Sequence, residues 1–407
     1  MDMPVHIMAK PAGPACNLDC NYCFYTEKEA LFDCGSKRMS DDVLKAYTIA
    51  NCGQSPEEII FAWQGGEPTL LGIDFFKRAL ALQSQYANGK RITNTIQTNG
   101  TLLDDEWCSF LAENDFLVGL SLDGPDWIHD RYRVDRQGKP THARVMKALG
   151  RLKKHGAEYN VLACVNKLSS KHPDEVYTFF KEAGVQHIQF IPIVERVPDQ
   201  ATRDLGLKLG MPGDGGSREV TEWTAPPEAY GDFLISVFDS WVRNDVGNIF
   251  VMNFEWALST WMGYEAPTCR FAPRCGRSFI MECNGDIYAC DHYVYPEYRL
   301  GNIQSDSLAT MACAGAQISF GAAKEERLPG SCRQCEWLTH CRGGCPKHRF
   351  TATPNDDHNL NYLCPGYKKY FSHINKYMNI MKKLTFVGQP ASRIMDVIRG
   401  PVAVVTE

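Results

Sequence analysis

Cys16, Cys20 and Cys23 stand in a C-x3-C-x2-C run directly behind a short apolar stretch, residues 5–9. Cysteine thiolates are the usual ligands of a four-iron, four-sulfur cube. Three closely spaced thiols without a fourth leave one iron open to a non-protein ligand, and chemistry can take place there. A structural zinc knuckle is the alternative, but zinc asks for a fourth Cys or His at short range. The nearest candidate, Cys34, lies in a polar, Gly-containing stretch with no second pair.

A second set of thiols follows at Cys269, Cys275, Cys290, Cys332, Cys335, Cys341, Cys345 and Cys364. The last five read C-x2-C-x5-C-x3-C and then a distant Cys. Eight thiols complete two four-thiolate sites, and a closed site suits electron transfer or scaffolding rather than substrate binding. A zinc ribbon over residues 332–345 stays open as an alternative, because tetrahedral thiolate sites also suit zinc. The six cysteines left over, Cys34, Cys52, Cys108, Cys164, Cys283 and Cys313, read as small, half-buried side chains. Asn284-Gly285 is a hairpin turn between apolar residues 279–281 and 287–289, so Cys290 closes a hairpin that begins soon after Cys275. Asp291 comes next, beside His292 and Tyr293. A carboxylate there is a candidate general base, a role decided first by geometry.

These groups need a scaffold. From residue 5 to about 194 the chain alternates β-like apolar runs (5–9, 59–63, 92–97, 117–122, 159–165, 187–193) with helical patterns (40–52, 73–86, 104–113, 142–155, 173–183), the mark of parallel βα units. Ser40 with Asp41 and Asp42 makes a good helix start, and Gly184 follows a helix end. Polar residues collect behind each strand: Gln64-Gly65-Gly66-Glu67, Gln97-Thr98-Asn99-Gly100, Ser121 with Asp123, and Asn166. Ligands bind at that edge of parallel α/β folds. Residues 198–224, with Gly213-Asp214-Gly215-Gly216, read as a long surface loop, and residues 226–244 as a helix joining two parts.

The whole chain sets bounds. Its 407 residues suggest two or three domains. The start has no cationic region leading into an apolar one, and no apolar run reaches the ~18 residues of a membrane span. A soluble, cytoplasmic protein is expected, with no membrane partner. Seventeen cysteines in such a protein argue for metal ligation over disulfides. A net charge of −5 and short basic stretches such as Lys347-His348-Arg349 make nucleic acid an unexpected partner.

Cys16, Cys20 and Cys23, with Tyr22 before the last, resemble the signature of the radical S-adenosylmethionine superfamily, and the later cysteines resemble its SPASM extension. Phe24-Tyr25, Trp63-Gln64-Gly65-Gly66-Glu67-Pro68-Thr69, Gln97-Thr98-Asn99-Gly100, Gly119-Leu120-Ser121-Leu122-Asp123-Gly124-Pro125 and Ala289-Cys290-Asp291 together resemble the anaerobic sulfatase-maturating enzymes. That likeness runs from about residue 5 to the helix after Cys364. It implies a partial (β/α)6 barrel over 1–225, a linking helical segment over 226–264, a SPASM domain over 265–370, and a C-terminal helix and tail over 371–407.

The resemblance also implies roles. Cys16, Cys20 and Cys23 would hold an open 4Fe-4S cluster whose free iron chelates S-adenosylmethionine. Gly65, Gly66 and Glu67 match the stretch whose backbone receives the methionine amino group. Ser121 and Arg133 match its carboxylate contacts, and Tyr22 and Val194 lie near the adenine. Cys269, Cys275, Cys290 and Cys345 would hold one auxiliary 4Fe-4S cluster, and Cys332, Cys335, Cys341 and Cys364 the other. A 5'-deoxyadenosyl radical would abstract hydrogen from Cβ of a cysteine or serine in a sulfatase precursor, within a Cys/Ser-x-Pro/Ala-x-Arg segment. Asp291 would take the thiol or hydroxyl proton, the auxiliary clusters the second electron, and Cα-formylglycine would result, with a flavodoxin- or ferredoxin-type reductant priming the cycle. Another SPASM maturase, forming thioether or carbon-carbon crosslinks in a ribosomal peptide, is the competing reading. Many of those carry an added N-terminal recognition domain, whereas this barrel pattern starts almost at Met1. An electron-transfer or zinc-binding protein without catalysis would leave the open three-cysteine site and the GGE run unexplained.

Overall fold

A computed structural model describes residues 4–31, 38–213, 216–352 and 359–399. Cys34 and the Asp214-Gly215 pair lie outside the described residues. Six parallel strands form as the apolar runs require: β1 His6–Ala9, β2 Glu58–Trp63, β3 Arg91–Thr98, β4 Phe116–Ser121, β5 Tyr159–Val165 and β6 His187–Pro192, each paired with the next. The expected helices fill the connections at Asp41–Cys52, Ile73–Tyr86, Asp105–Glu113, His142–His155 and Pro173–Glu182. Ser40 caps the first of these by accepting from the Val43 N–H at 3.2 Å, and Gly184 turns the chain behind the last at φ +63°. Aromatic side chains fill the helix-covered side of this sheet. Trp63, fully buried, meets Tyr47, Phe75 and Phe76 edge-on, with ring centroids 5.6–5.9 Å apart.

The sheet does not stop at β1. After β7 (Phe250–Val251), which extends the β6 edge, the expected hairpin forms β8 (Ser278–Met281) and β9 (Asp286–Tyr288), followed by β10 (Arg299–Asn302). β8 pairs in parallel with β1, Ile7 opposite Phe279 and Ala9 opposite Met281, so one open sheet runs β10-β9-β8-β1-β2-β3-β4-β5-β6-β7. Residues on both sides of the expected 225/226 and 264/265 boundaries thus share one sheet.

The stretch expected as a surface loop, 198–224, holds a short helix, Gln200–Asp204, and an Arg196–Val220 bridge. The linking helix forms at Pro227–Asn244 and packs lengthwise on the helix Cys364–Phe386, which spans the expected 370/371 boundary. Their contact is glycine on glycine. A Cβ on Gly366 would stand 2.0 Å from the Pro227 carbonyl oxygen, so the two backbones touch at the point where Cys364 enters its helix.

Candidate active site

The loop after β1 carries the three cysteines, and the end of β2 clamps it. Gly66 and Glu67 donate their backbone N–H groups to the carbonyls of Gly13 and Ala15, each at 2.9 Å. A Cβ at Gly66 would lie 2.0 Å from the Ala15 oxygen, and Gly65 sits at φ +127°. Both positions therefore demand glycine. Glu67 is fully buried. Its carboxylate accepts from Thr69, from the Thr98 hydroxyl at 2.7 Å and from the Asn99 N–H at 2.8 Å, tying β2 to the end of β3. Asn99 then donates to Asn17 at 2.9 Å and reaches Cys16 Sγ at 3.8 Å.

Burial pushes the Cys16 thiol up to about 11 and the Cys20 thiol higher still, and the neighbouring Cys23 raises both further. The same mutual repulsion sorts the later thiols. Charge acts among Cys269, Cys275, Cys290 and Cys345, and separately among Cys332, Cys335, Cys341 and Cys364. Yet among the described residues no three Cys, His, Asp or Glu side chains converge tightly enough to hold one metal ion. Each group offers the four thiols that a four-iron cube takes as ligands.

The strand ends beyond this loop meet in a buried ion pair. Arg133 Nε donates to Asp123 at 2.9 Å, Tyr22 also donates to Asp123, and the second Asp123 oxygen accepts from the Cys164 N–H at 2.9 Å. Arg133, expected as a ligand contact, is thus already anchored through Nε. Its Nη2 lies 3.5 Å from Cys164 Sγ. Ser121 accepts from Gln97 at 3.0 Å. Val194 is packed in the main core, while its neighbour Ile193 packs with Tyr22 and Tyr132 beside Cys20.

Asp291 follows Cys290 in a short 3-10 turn and accepts from Lys10, the residue at which β1 runs into the cysteine loop. Lys10 is only 1% exposed and stands 3.3 Å from the Tyr25 ring centroid. Burial would raise the Asp291 pKa, but the Lys10 charge leads the opposing effects and holds the carboxyl below its ordinary value. Behind this pair Tyr25 donates to Glu282 at 2.6 Å, and burial lifts the Glu282 carboxyl to about 7. The front wall is Phe24, 5.1 Å from His292, and Lys347, which lies over Phe24 and pairs with Glu195. Burial, reinforced by Lys347, drives His292 down to about 3, so its ring is neutral. Gln64 Oε1, His292 Nδ1 and Glu282 Oε1 are buried with no hydrogen-bond partner among the described residues.

Lys10, Asn17 and Glu282 were not among the residues singled out from the sequence, and Asp123 was named there without a role. Asp123 stands in the strand-end pattern, and Lys10 sits where the first strand meets the cysteine loop; position was the only signal for either.

An open mixed sheet whose six parallel strands carry a three-thiol loop behind the first, with an added thiol-rich region that ends where the long helix Cys364–Phe386 begins, defines a radical S-adenosylmethionine protein with an iron-sulfur extension. Residues 11–180 match the family described as the Radical SAM superfamily and residues 269–336 the SPASM iron-sulfur cluster-binding domain. The serine-type anaerobic sulfatase-maturating enzyme of Bacteroides thetaiotaomicron is 43% identical over 398 residues, covering 97% of this chain and 95% of that one. The cysteine-type enzyme of Clostridium perfringens strain 13 is 33% identical, over 91% and 96% of the two chains. The solved structure of native anSMEcpe with bound AdoMet and Kp18Cys peptide superposes with a TM-score of 0.82 at 31% identity, over 94% and 99%. The chain belongs to the anaerobic sulfatase-maturating enzymes. Among the described residues no helix is long and apolar enough to cross a membrane.

Proposed function

We propose that this protein oxidises a cysteine or serine of a sulfatase precursor to Cα-formylglycine, with Asp291 as the base. The observation that carries the reading is the Lys10–Asp291 contact, which puts a carboxylate held in its charged form against the residue that opens the three-cysteine loop. Cys16, Cys20 and Cys23 would hold the open cluster, with S-adenosylmethionine on its free iron. Cys269, Cys275, Cys290 and Cys345 would hold one auxiliary cluster, and Cys332, Cys335, Cys341 and Cys364 the other. When bound, these groups supply hydrogen-atom abstraction and an acceptor for the remaining electron. A flavodoxin- or ferredoxin-type protein in the cytoplasm would deliver the priming electron.

The chain's own residues do the rest. Gly65 and Gly66 let the end of β2 close on the cysteine loop, where a Cβ would meet Gly13, Lys10 or Ala15, and Ser121 and the outer nitrogens of Arg133 offer donors to a carboxylate. Tyr22 and Val194 border the adenine. Asp291 takes the proton from the substrate thiol or hydroxyl, Lys10 fixes its oxygen, and Phe24 with neutral His292 forms the wall in front of the pair. The barrel (1–225), the SPASM region (265–370) and the helical segments (226–264 and 371–407) act in this reading as radical source, electron sink and braces.

Synthetic peptides with a Cys-x-Pro-x-Arg or a Ser-x-Ala-x-Arg core test it. Anaerobic incubation with S-adenosylmethionine and a reductant is expected to yield the aldehyde, read by mass spectrometry, together with 5'-deoxyadenosine. Unchanged peptide alongside 5'-deoxyadenosine would return the competing crosslinking maturase to first place.

A further inference from the structure

Cys341 and Cys345 belong to different thiol groups, so the residues between them, Arg342, Gly343 and Gly344, form the strap that joins the two. All three take a left-handed backbone, at φ +50°, +69° and +63°. For Arg342, which has a Cβ, that conformation is costly and must be held by its surroundings. The holder is Arg349. Its Nε donates to the Gly343 carbonyl at 3.0 Å, Nη2 to those of Arg342 at 2.8 Å and Gly344 at 3.4 Å, and Nη1 to Lys324 at 2.5 Å. Every hydrogen bond that the described residues give this guanidinium ends on a backbone carbonyl. A Cβ on Gly343 would come within 2.7 Å of Nη2, so the strap and the guanidinium are in van der Waals contact.

Arg349 is 6% exposed, and burying a cation costs several kcal/mol unless negative charge answers it. Neutral carbonyls answer only part of that. The charges that act on Arg349 come from thiols of both groups: Cys332 and Cys341 on one side, Cys345 and Cys275 on the other. Lys324 adds to the picture from one side only. It is also buried, its Nζ is bound by the carbonyls of Cys269, Arg270 and Ala272, and it faces Cys275, Cys345 and Cys269.

We infer that Arg349 is a shared counter-ion of both auxiliary cluster sites, a positioning residue that holds the strap between them and makes an added electron on either one easier to accept. The inference rests on the cluster assignment proposed above. The physics is Coulombic. Reduction adds one negative charge, and a buried cation beside the site lowers the cost of that charge in a low-dielectric interior. One cation between two sites raises both reduction potentials together, which keeps the pair matched for passing an electron from one to the other. A lysine at the same place keeps the charge and loses the fork that grips three carbonyls.

The test is a redox titration of anaerobically reconstituted protein followed by electron paramagnetic resonance, with iron and sulfide counted first. In wild type, a count near three four-iron clusters supports the underlying assignment, and a count near one overturns that assignment independently of Arg349. With three clusters present, Arg349→Gln is expected to shift both auxiliary potentials to more negative values and leave that of the three-cysteine cluster in place, while Arg349→Lys stays near wild type. Unshifted auxiliary potentials in Arg349→Gln would overturn the inference. So would a shift in only one of them, or an equal shift in Arg349→Lys. If Arg349→Gln fails to load iron, the lysine variant alone decides: loading with near-native potentials upholds the charge role, and loading with both potentials lowered removes it.

Discussion

At the residue scale the protein depends on where a few charges are buried. Asp291→Asn keeps the shape of the side chain and removes the proposed proton acceptor. General-base catalysis contributes roughly 10²–10⁴-fold, so formylglycine formation should fall by about that much while 5'-deoxyadenosine is still released; mass spectrometry and chromatography of one reaction read both. Lys10→Met leaves Asp291 without its partner, and product should fall with cleavage of S-adenosylmethionine retained; loss of both activities together would mean that Lys10 serves the cysteine loop and not the base. Glu282 predicts a pH effect. Its folded pKa near 7, raised chiefly by burial, lies above the ordinary 4.5, so the folded chain holds a proton that the unfolded chain releases. Stability from this group is full below about pH 4.5 and declines as pH rises through 7, by on the order of 3 kcal/mol. Glu282→Gln should flatten that part of a thermal-midpoint profile between pH 5 and 8, and parallel profiles for the two proteins would dismiss Glu282 as its source.

At the element scale the clamp between β2 and the cysteine loop sets the open site. Gly66→Ala puts a methyl group 2.0 Å from the Ala15 oxygen, and overpacking of that kind costs typically about 1–3 kcal/mol. The expected result is loss of iron from the three-cysteine site with the auxiliary iron kept, seen as a drop of about one four-iron cluster per chain. The strands and helices around this clamp were legible in the sequence because period and caps are local: the 73–86 pattern and Ile73–Tyr86 coincide. Pairing of β8 with β1 was not, since it joins residues some 270 positions apart and no local pattern encodes a partner. Lys10 was missed, and Asp123 left without a role, for a related reason. A lysine after a strand reads as a solvated end, and only the packing of Tyr25 and Asp291 around it makes it a buried cation. The three-cysteine loop and the GGE run were legible because their spacing is itself the chemistry.

At the scale of the whole molecule the shared sheet makes the two halves one folding unit. A chain ending at residue 225 would leave the β1 edge without β8, and Ile7 would lose Phe279 and Met281 from its core. Such a fragment is expected to aggregate or elute as high-mass species in size-exclusion chromatography; a monomer with native circular dichroism would show that the barrel stands alone. Full-length protein should carry about 12 irons after anaerobic reconstitution, three cubes of four. The β1–β8 register has one more consequence. β1 delivers the cysteine loop and Lys10, while β8 and its hairpin deliver Cys290 and Asp291. Neighbouring strands can slide only in whole-residue steps of about 3.3 Å, and a single step would also turn Ile7 out of the core. The gap between the cysteine loop and Asp291 is therefore quantised, like the setting of a vernier, and evolution can retune it only by changing side chains at the two strand ends.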